Sequence, residues 1–116
     1  MSRIKNDPNL KKECIIIGAH YDHLGMGGQS SLYRGDPAVH FGADDNASGV
    51  AGLLELARNI VANEKEFTNY NYVFIAFSGE EMGLLGSAFY TKNIPDKVRN
   101  MAYMINLDMI GRMEDN

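Results

Sequence analysis

Residues 14–19 read Cys-Ile-Ile-Ile-Gly-Ala, and this short apolar run decides the fold. It is rich in β-branched residues and is bounded by polar residues, which is typical of a strand buried on both faces of a sheet. The run contains Cys14, the one cysteine of the chain. A lone cysteine forms no disulfide within its own chain, and a buried one behaves as a small apolar side chain.

Further along the chain, helical and strand patterns alternate. Apolar residues between 47 and 63 recur at helical spacing, and Asp45 or Asn46 is placed to cap that helix. The remaining predictions are a long loop over 20–42, a second buried strand over 70–77, a short helix over 83–93 and a third strand over 102–107. This order predicts an α/β fold in three layers, with a mostly parallel sheet between helices.

The composition favours one small globular domain. The chain has 116 residues, of which 45% are apolar and 22% are charged, with a formal net charge of −4. No basic stripe is present, so nucleic acid is not expected as a partner. No apolar stretch reaches the roughly 18–20 residues of a membrane span. The first seven residues lack the apolar core of a signal peptide, which leaves the compartment open.

Acidic residues and a histidine follow the predicted strands. The set comprises His20 and Asp22 after the first strand, Asp44 and Asp45 before the first helix, Glu80 and Glu81 after the second strand, and Asp108 after the third. The carboxyl ends of parallel strands lie along one edge of the sheet, where open α/β sheets bind ligands. We therefore expect these seven side chains to converge.

Six carboxylates that converge repel one another, and a bound divalent cation relieves that repulsion. Two cations suit so acidic a cluster better than one. One histidine with several carboxylates suits zinc, and also manganese or cobalt. Each element also has an ordinary interpretation, as a surface loop, a helix cap, an exposed acidic pair or a turn. Their common position at one sheet edge favours the metal site, whereas His23 and His40 are expected to be structural or to lie outside the ligand shell.

Four segments of the chain together resemble a known family of enzymes. They are residues 16–25 (IIGAHYDHLG), 42–51 (GADDNASGVA), 77–87 (FSGEEMGLLGS) and 105–112 (INLDMIGR). In this order they resemble the metal motifs of peptidase family 28, the type of aminopeptidase Y and bacterial leucyl aminopeptidase. The resemblance implies a zinc exopeptidase-like fold. It also implies an aminopeptidase that removes N-terminal residues from peptides by means of water activated at two zinc ions.

The resemblance implies a role for each residue of the motifs. His20 and Asp108 bind one zinc, Asp44 bridges to the second zinc, Glu81 binds the second zinc, Glu80 is the general base, and Asp22 orients His20. The family has a further histidine ligand downstream of the fourth motif, and here no histidine follows His40. One zinc site is thus complete, and the other has only Asp44 and Glu81.

The resemblance also bears on the extent of the domain, because the family domain is considerably longer than this chain. Residues 1–116 are therefore expected to be a truncated, partial catalytic domain with its motifs within 14–112, weakly active or inactive alone. An incomplete sheet exposes its edges, which favours self-association. The family's relatives are often secreted or periplasmic.

Three other functions remain open at the level of sequence. The scaffold also carries carboxypeptidases and single-zinc glutaminyl cyclases. A non-catalytic binding module would keep the fold without the chemistry, although the base at Glu80 argues against it. The last alternative is a generic α/β domain in which the acids meet by chance.

Overall fold

The computed structural model describes residues 13–112, which contain three strands and two α-helices. The elements are β1 (Cys14–His20), α1 (Gly49–Ala62), β2 (Asn71–Phe77), α2 (Leu85–Lys92) and β3 (Met101–Asn106). A π-helical turn, Ala43–Ser48, precedes α1, and a 3-10 turn, Asp96–Val98, precedes β3. Residues 21–42 form neither helix nor strand, as predicted.

The three strands form a parallel sheet in the order β2-β1-β3. The apolar run is its central strand, with Ile17 opposite Phe74 of β2 on one side and Ile105 of β3 on the other. Six of the seven β1 residues are buried, because this strand alone has a neighbour on each side. The predicted α/β fold with a parallel sheet is therefore confirmed, and so is the burial of Cys14.

The two α-helices contact opposite faces of the sheet. On one face Ile17 and Ala19 pack against Leu53 of α1 and form the main core. On the other face Ile16 and Tyr90 of α2 line a small cavity of about 230 Å³, and the Tyr90 ring meets Phe77 edge-on at 6.1 Å between ring centroids. These contacts account for the three predicted layers.

The prediction that the second strand is buried on both faces is wrong. Most residues of β2 are only half buried, and nearly all of β3 is exposed, with 65% of Tyr103 and 52% of Met104 accessible. Both are edge strands of the sheet, and α2 is too short to cover the full length of β3. Apolar strand residues therefore face solvent where the sheet ends.

The helices begin later than their sequence patterns suggest. Non-helical backbone angles at Asp45 and Asn46 delay α1 to Gly49. At the second helix, Leu84 adopts a left-handed conformation with φ of 62°, so α2 begins at Leu85. Among the residues that the structure describes, no helix has the length and hydropathy to span a membrane.

Candidate metal centre

The motif residues meet at the carboxyl ends of the strands. His20 is the last residue of the central strand, so its ring lies between the loops that follow β2 and β3. Glu80 follows β2 and Asp108 follows β3, while Asp45 lies in the turn before α1. All three carboxylates lie within 4 Å of the ring of His20. The predicted convergence at one sheet edge is thus observed for these four side chains.

The His20 ring is buried and has one nitrogen ready to bind a cation. Its Nδ1 lies 3.1 Å from the backbone carbonyl of Asp22, and only an N–H can donate to a carbonyl, so Nδ1 carries the proton of the neutral ring. Nε2 is buried without a hydrogen-bond partner. It faces Asp45 Oδ1 at 3.1 Å and Asp108 Oδ1 at 3.5 Å. A buried nitrogen without a hydrogen-bond partner, surrounded by carboxylates, is suited to binding a cation.

The spacing of these atoms fits a metal ion. One ligand atom each from His20, Asp45 and Asp108 forms a group in which all separations are within 4.8 Å. Zinc binds nitrogen and oxygen ligands at about 2.0–2.2 Å in a tetrahedron, which sets ligand atoms about 3.3–3.6 Å apart. The two distances from Nε2 are close to that range. The donor types and these two distances therefore suit zinc.

The electrostatics of the cluster show an excess of negative charge. Burial lowers the pKa of His20, but Glu80 and Asp108, with smaller contributions from the Asp22 carbonyl and Asp45, outweigh it and raise that pKa above its ordinary value. The pKa of Glu81 is also raised, first by burial and then by repulsion from Asp45 and Glu80. The raised pKa of His20, and the part of the Glu81 shift that comes from Asp45 and Glu80, indicate that the cluster favours added positive charge, which a divalent cation supplies.

Asp22 has a different contact from the one expected. Its carboxylate accepts hydrogen bonds from the backbone N–H groups of Glu80 at 3.1 Å and Glu81 at 3.2 Å. Burial raises the pKa of Asp22, but these hydrogen bonds outweigh it and hold the pKa below its ordinary value. The carboxylate lies 3.7 Å from His20 Nδ1, so the backbone carbonyl, rather than the side chain, orients the ring. Asp22 thus connects the loops that follow β1 and β2.

Asp44, the expected bridging ligand, is engaged outside the His20 cluster. Its Oδ1 accepts hydrogen bonds from Gly111 N at 2.9 Å and Ser48 Oγ at 3.2 Å. Its Oδ2 lies 3.1 Å from Arg112 Nε in an ion pair, and this oxygen, like His20 Nε2, is buried without a hydrogen-bond partner. The structure brings its neighbour, Asp45, beside His20 instead, because consecutive residues of the turn project in different directions.

Sequence reasoning assigned Asn46 only a capping role. Asn46 does accept a hydrogen bond from Gly49 N at the start of α1, at 3.1 Å. It is also 98% buried and bonds to the backbone at the ends of β1 and β3. The sequence does contain a signal for this wider role. Asn46 directly follows two aspartates of the second motif, just before a helix that begins at the edge where the strands end.

A cavity of about 500 Å³ lies beside the cluster. Its lining includes Asp45 and Glu81, and also His23, His40 and Arg112. His23 Nδ1 accepts a hydrogen bond from Gly25 N, and His40 Nε2 lies 2.7 Å from Ser31 Oγ. Local hydrogen bonds thus hold both histidines within the loop over 21–42.

Comparison with known proteins relates the sequence of this chain to a family. The model of "Peptidase family M28" matches residues 2–116. A "Probable zinc metalloprotease" of Pyrenophora tritici-repentis is 45% identical over 96 residues, which cover 83% of this chain and 20% of that protein. "Aminopeptidase YwaD" of Bacillus subtilis is 37% identical over 112 residues, which cover 93% of this chain and 21% of that protein.

A third relative extends the comparison to a fungal enzyme. "Leucine aminopeptidase 1" of Arthroderma otae is 33% identical over 113 residues, which cover 95% of this chain and 29% of that protein. The chain therefore spans between a fifth and three tenths of the length of these relatives. No solved structure matches it.

Proposed function

The chain belongs to peptidase family M28, and from that premise we propose that it forms the metal-binding part of a zinc aminopeptidase. The observation that carries the proposal is the buried His20 Nε2, which has no hydrogen-bond partner and faces two carboxylates at 3.1 and 3.5 Å. Family membership supports a peptide substrate, and three relatives are named as a zinc metalloprotease or as aminopeptidases.

The proposed ligand set differs from the sequence-based prediction at one position. His20, Asp45 and Asp108 would hold one zinc ion. Asp45 and Glu81 line the same cavity, so both carboxylates would be available to a second ion. Asp44, which contacts Gly111, Ser48 and Arg112, would stabilise the loop that carries Asp108.

The residues around the cluster supply the rest of the chemistry. Zinc, when bound, lowers the pKa of water toward ~7 and polarises a carbonyl group. Glu80 Oε2 lies 3.9 Å from His20 Nε2, near the place where the attacking water would lie. Glu80 would accept the proton of that water and then donate it to the departing amine, as general base and general acid in turn.

The adjoining cavity accounts for removal of a single N-terminal residue. Asp45 and Glu81 line it, and carboxylates attract the free α-ammonium group of a peptide. A substrate held by its N-terminus at the metal site presents its first peptide bond to the water. This arrangement favours an exopeptidase over an endopeptidase.

The experiment compares hydrolysis by the zinc-loaded protein and by its Glu80→Gln variant. We expect weak but measurable release of p-nitroaniline from leucine p-nitroanilide, and a loss of about 10²–10⁴-fold in kcat for the variant, because the base is absent. Zinc content should stay the same, since Glu80 is not among the proposed ligands. Equal turnover by both proteins would contradict the role of Glu80, and activity only on C-terminal or N-terminal glutaminyl substrates would contradict the aminopeptidase proposal.

The exposed edge of the sheet supports a second, separate proposal about assembly. Consecutive apolar residues of β3 are accessible to solvent, 65% at Tyr103, 52% at Met104 and 46% at Ile105. An edge strand with accessible apolar side chains is able to pair with a strand of another chain. We propose that isolated copies of this chain self-associate through β3.

A further inference from the structure

Asn46 forms more hydrogen bonds than any other polar side chain described at the site. It is 98% buried. Its Nδ2 donates to the carbonyl of His20 at 3.3 Å and to that of Leu107 at 3.0 Å. Its Oδ1 accepts from the backbone N–H of Gly49 and of Met109, each at 3.1 Å. Both donors and both acceptor positions of the side-chain amide are therefore used.

The four partners belong to three separate segments of the fold. They are the end of β1, the loop after β3 and the first residue of α1. His20 is the last residue of β1, and Leu107 and Met109 are the neighbours of Asp108 on either side. Asn46 itself follows Asp45. One buried amide thus bonds to the backbone of His20 and of both neighbours of Asp108, and it belongs to the residue that directly follows Asp45.

Two features of the backbone show that this arrangement is tightly constrained. Met109 adopts a left-handed conformation with φ of 51°, which is unfavourable for a residue with a side chain unless its surroundings hold it. A Cβ atom on Gly49 would collide with Asn46 Oδ1 and with the carbonyl of Leu107. Glycine at this position allows α1 to approach the amide closely enough for the hydrogen bonds to form.

We propose that Asn46 is a positioning residue that holds His20, Asp45 and Asp108 at metal-binding separation before the metal arrives. The inference rests on the proposed function, because it concerns the same metal site. Groups that orient ligands without touching the metal commonly change metal affinity by about 10–100-fold. Leucine has nearly the same branched shape as asparagine but forms no hydrogen bonds, so Asn46→Leu removes all four contacts.

The test compares zinc dissociation constants of the 116-residue chain, measured by competition with a chromophoric chelator. Val98→Ala is the matched control. Val98 is buried near the start of β3, at the opposite end of the sheet from the site, so its truncation weakens the fold without touching the ligands. Circular dichroism establishes the temperature at which every variant is folded, and all affinities are measured there.

We expect Asn46→Leu to weaken zinc binding by about 10–100-fold, and Val98→Ala to change it by no more than about twofold, as for distant sites. Equal zinc affinity of Asn46→Leu and the unsubstituted chain, or equal losses in both variants, would overturn the inference while leaving the proposed function intact. Absence of zinc binding by the unsubstituted chain would instead overturn the proposed function, and the inference with it.

A second measurement needs no substitution and covers the case in which Asn46→Leu does not fold. In the metal-free chain, amide hydrogen exchange at Met109 should be as slow as in the sheet, because its N–H is already bonded to buried Asn46. Exchange at the rate of an open loop would show that the hydrogen bond is absent before metal binds, which overturns the inference.

Discussion

At His20, burial and one backbone hydrogen bond determine the chemistry of the ring. The Asp22 carbonyl accepts a hydrogen bond from Nδ1–H at 3.1 Å, which leaves the Nε2 lone pair facing Asp45 and Asp108. The ring therefore presents a neutral nitrogen donor of the kind that zinc binds. Either of the two adjacent aspartates could complete the site. The structure favours Asp45, which lies 3.1 Å from His20 Nε2.

Replacing the carboxylate with a carboxamide, at one aspartate at a time, distinguishes the roles of Asp44 and Asp45. Asp45→Asn should weaken zinc binding by at least ~10-fold, because it removes a charged ligand. Asp44→Asn should have a smaller effect, since Asp44 contacts Gly111, Ser48 and Arg112 rather than His20. Zinc competition assays on both variants make the comparison. A larger loss for Asp44→Asn would restore the sequence-based assignment.

Asp22 provides a prediction about stability and pH in the metal-free chain. Its carboxylate accepts two backbone hydrogen bonds, so Asp22→Asn should lower the free energy of unfolding at pH 7 by about 1–3 kcal/mol. Because the pKa of Asp22 is below its ordinary value of 3.8 in the folded chain, this stabilisation is fully present above that value. It is lost as the pH falls through the folded-state pKa.

Urea unfolding of the two proteins between pH 7 and pH 2.5, in the presence of a chelator, checks this expectation. The difference in unfolding free energy between them should be constant from pH 7 to about 5 and should shrink below about 4. A difference that grew on acidification would show that the carboxylate is destabilised, rather than stabilised, by its surroundings.

The residue types at the site could be predicted from sequence, but their contacts could not. His20, Glu80 and Asp108 were placed correctly at one sheet edge, because each follows a recognisable apolar strand. Asp44 and Asp45 are indistinguishable in a pattern of residue types. The direction of each side chain depends on the non-helical backbone angles of Asp45 and Asn46, which arise from contacts with the distant β3 loop.

At the scale of elements, the start of α1 controls how closely the helix approaches the strand ends. Gly49 lies against the Asn46 side chain and the Leu107 carbonyl. Gly52, in the next turn of the same helix, would place a Cβ atom 2.8 Å from Ile110 Cδ1, which is the movable end of a side chain. The two glycines therefore form a matched pair for substitution.

Gly49→Ala should lower the free energy of unfolding by about 1–3 kcal/mol, because a methyl group is forced against backbone and a buried amide. Gly52→Ala should lower the free energy of unfolding by less than Gly49→Ala, or raise it by up to ~1 kcal/mol because alanine has the higher helix propensity. Thermal or urea unfolding of both variants tests this. Equal costs would show that the close approach at Gly49 does not constrain the helix.

The existence and order of the elements followed from periodicity, whereas the burial of the strands did not. The run of isoleucines in β1 correctly indicated a strand buried on both faces. The similar apolar composition of β2 and β3 gave no sign that these strands lie at the edges, because edge position depends on how strands are ordered in space. That order results from the crossovers through α1 and α2 and is not encoded in any one segment.

At the scale of the whole molecule, the exposed face of β3 predicts concentration-dependent association. Sedimentation velocity of the chain should show a species larger than a monomer, and its fraction should rise with concentration. Met104→Lys should reduce that fraction, because a charge on an edge strand opposes pairing with another chain. A monomer at every concentration would contradict association through β3.

The most direct test of the account is a zinc titration of the purified 116-residue chain, followed by elemental analysis. Within the described residues, one ligand group joins His20, Asp45 and Asp108. We therefore expect about one tightly bound zinc ion per chain, lost in His20→Ala and retained in His40→Ala. Failure of the folded chain to bind zinc, or equal binding by His20→Ala, would contradict the metal centre on which the proposed function depends.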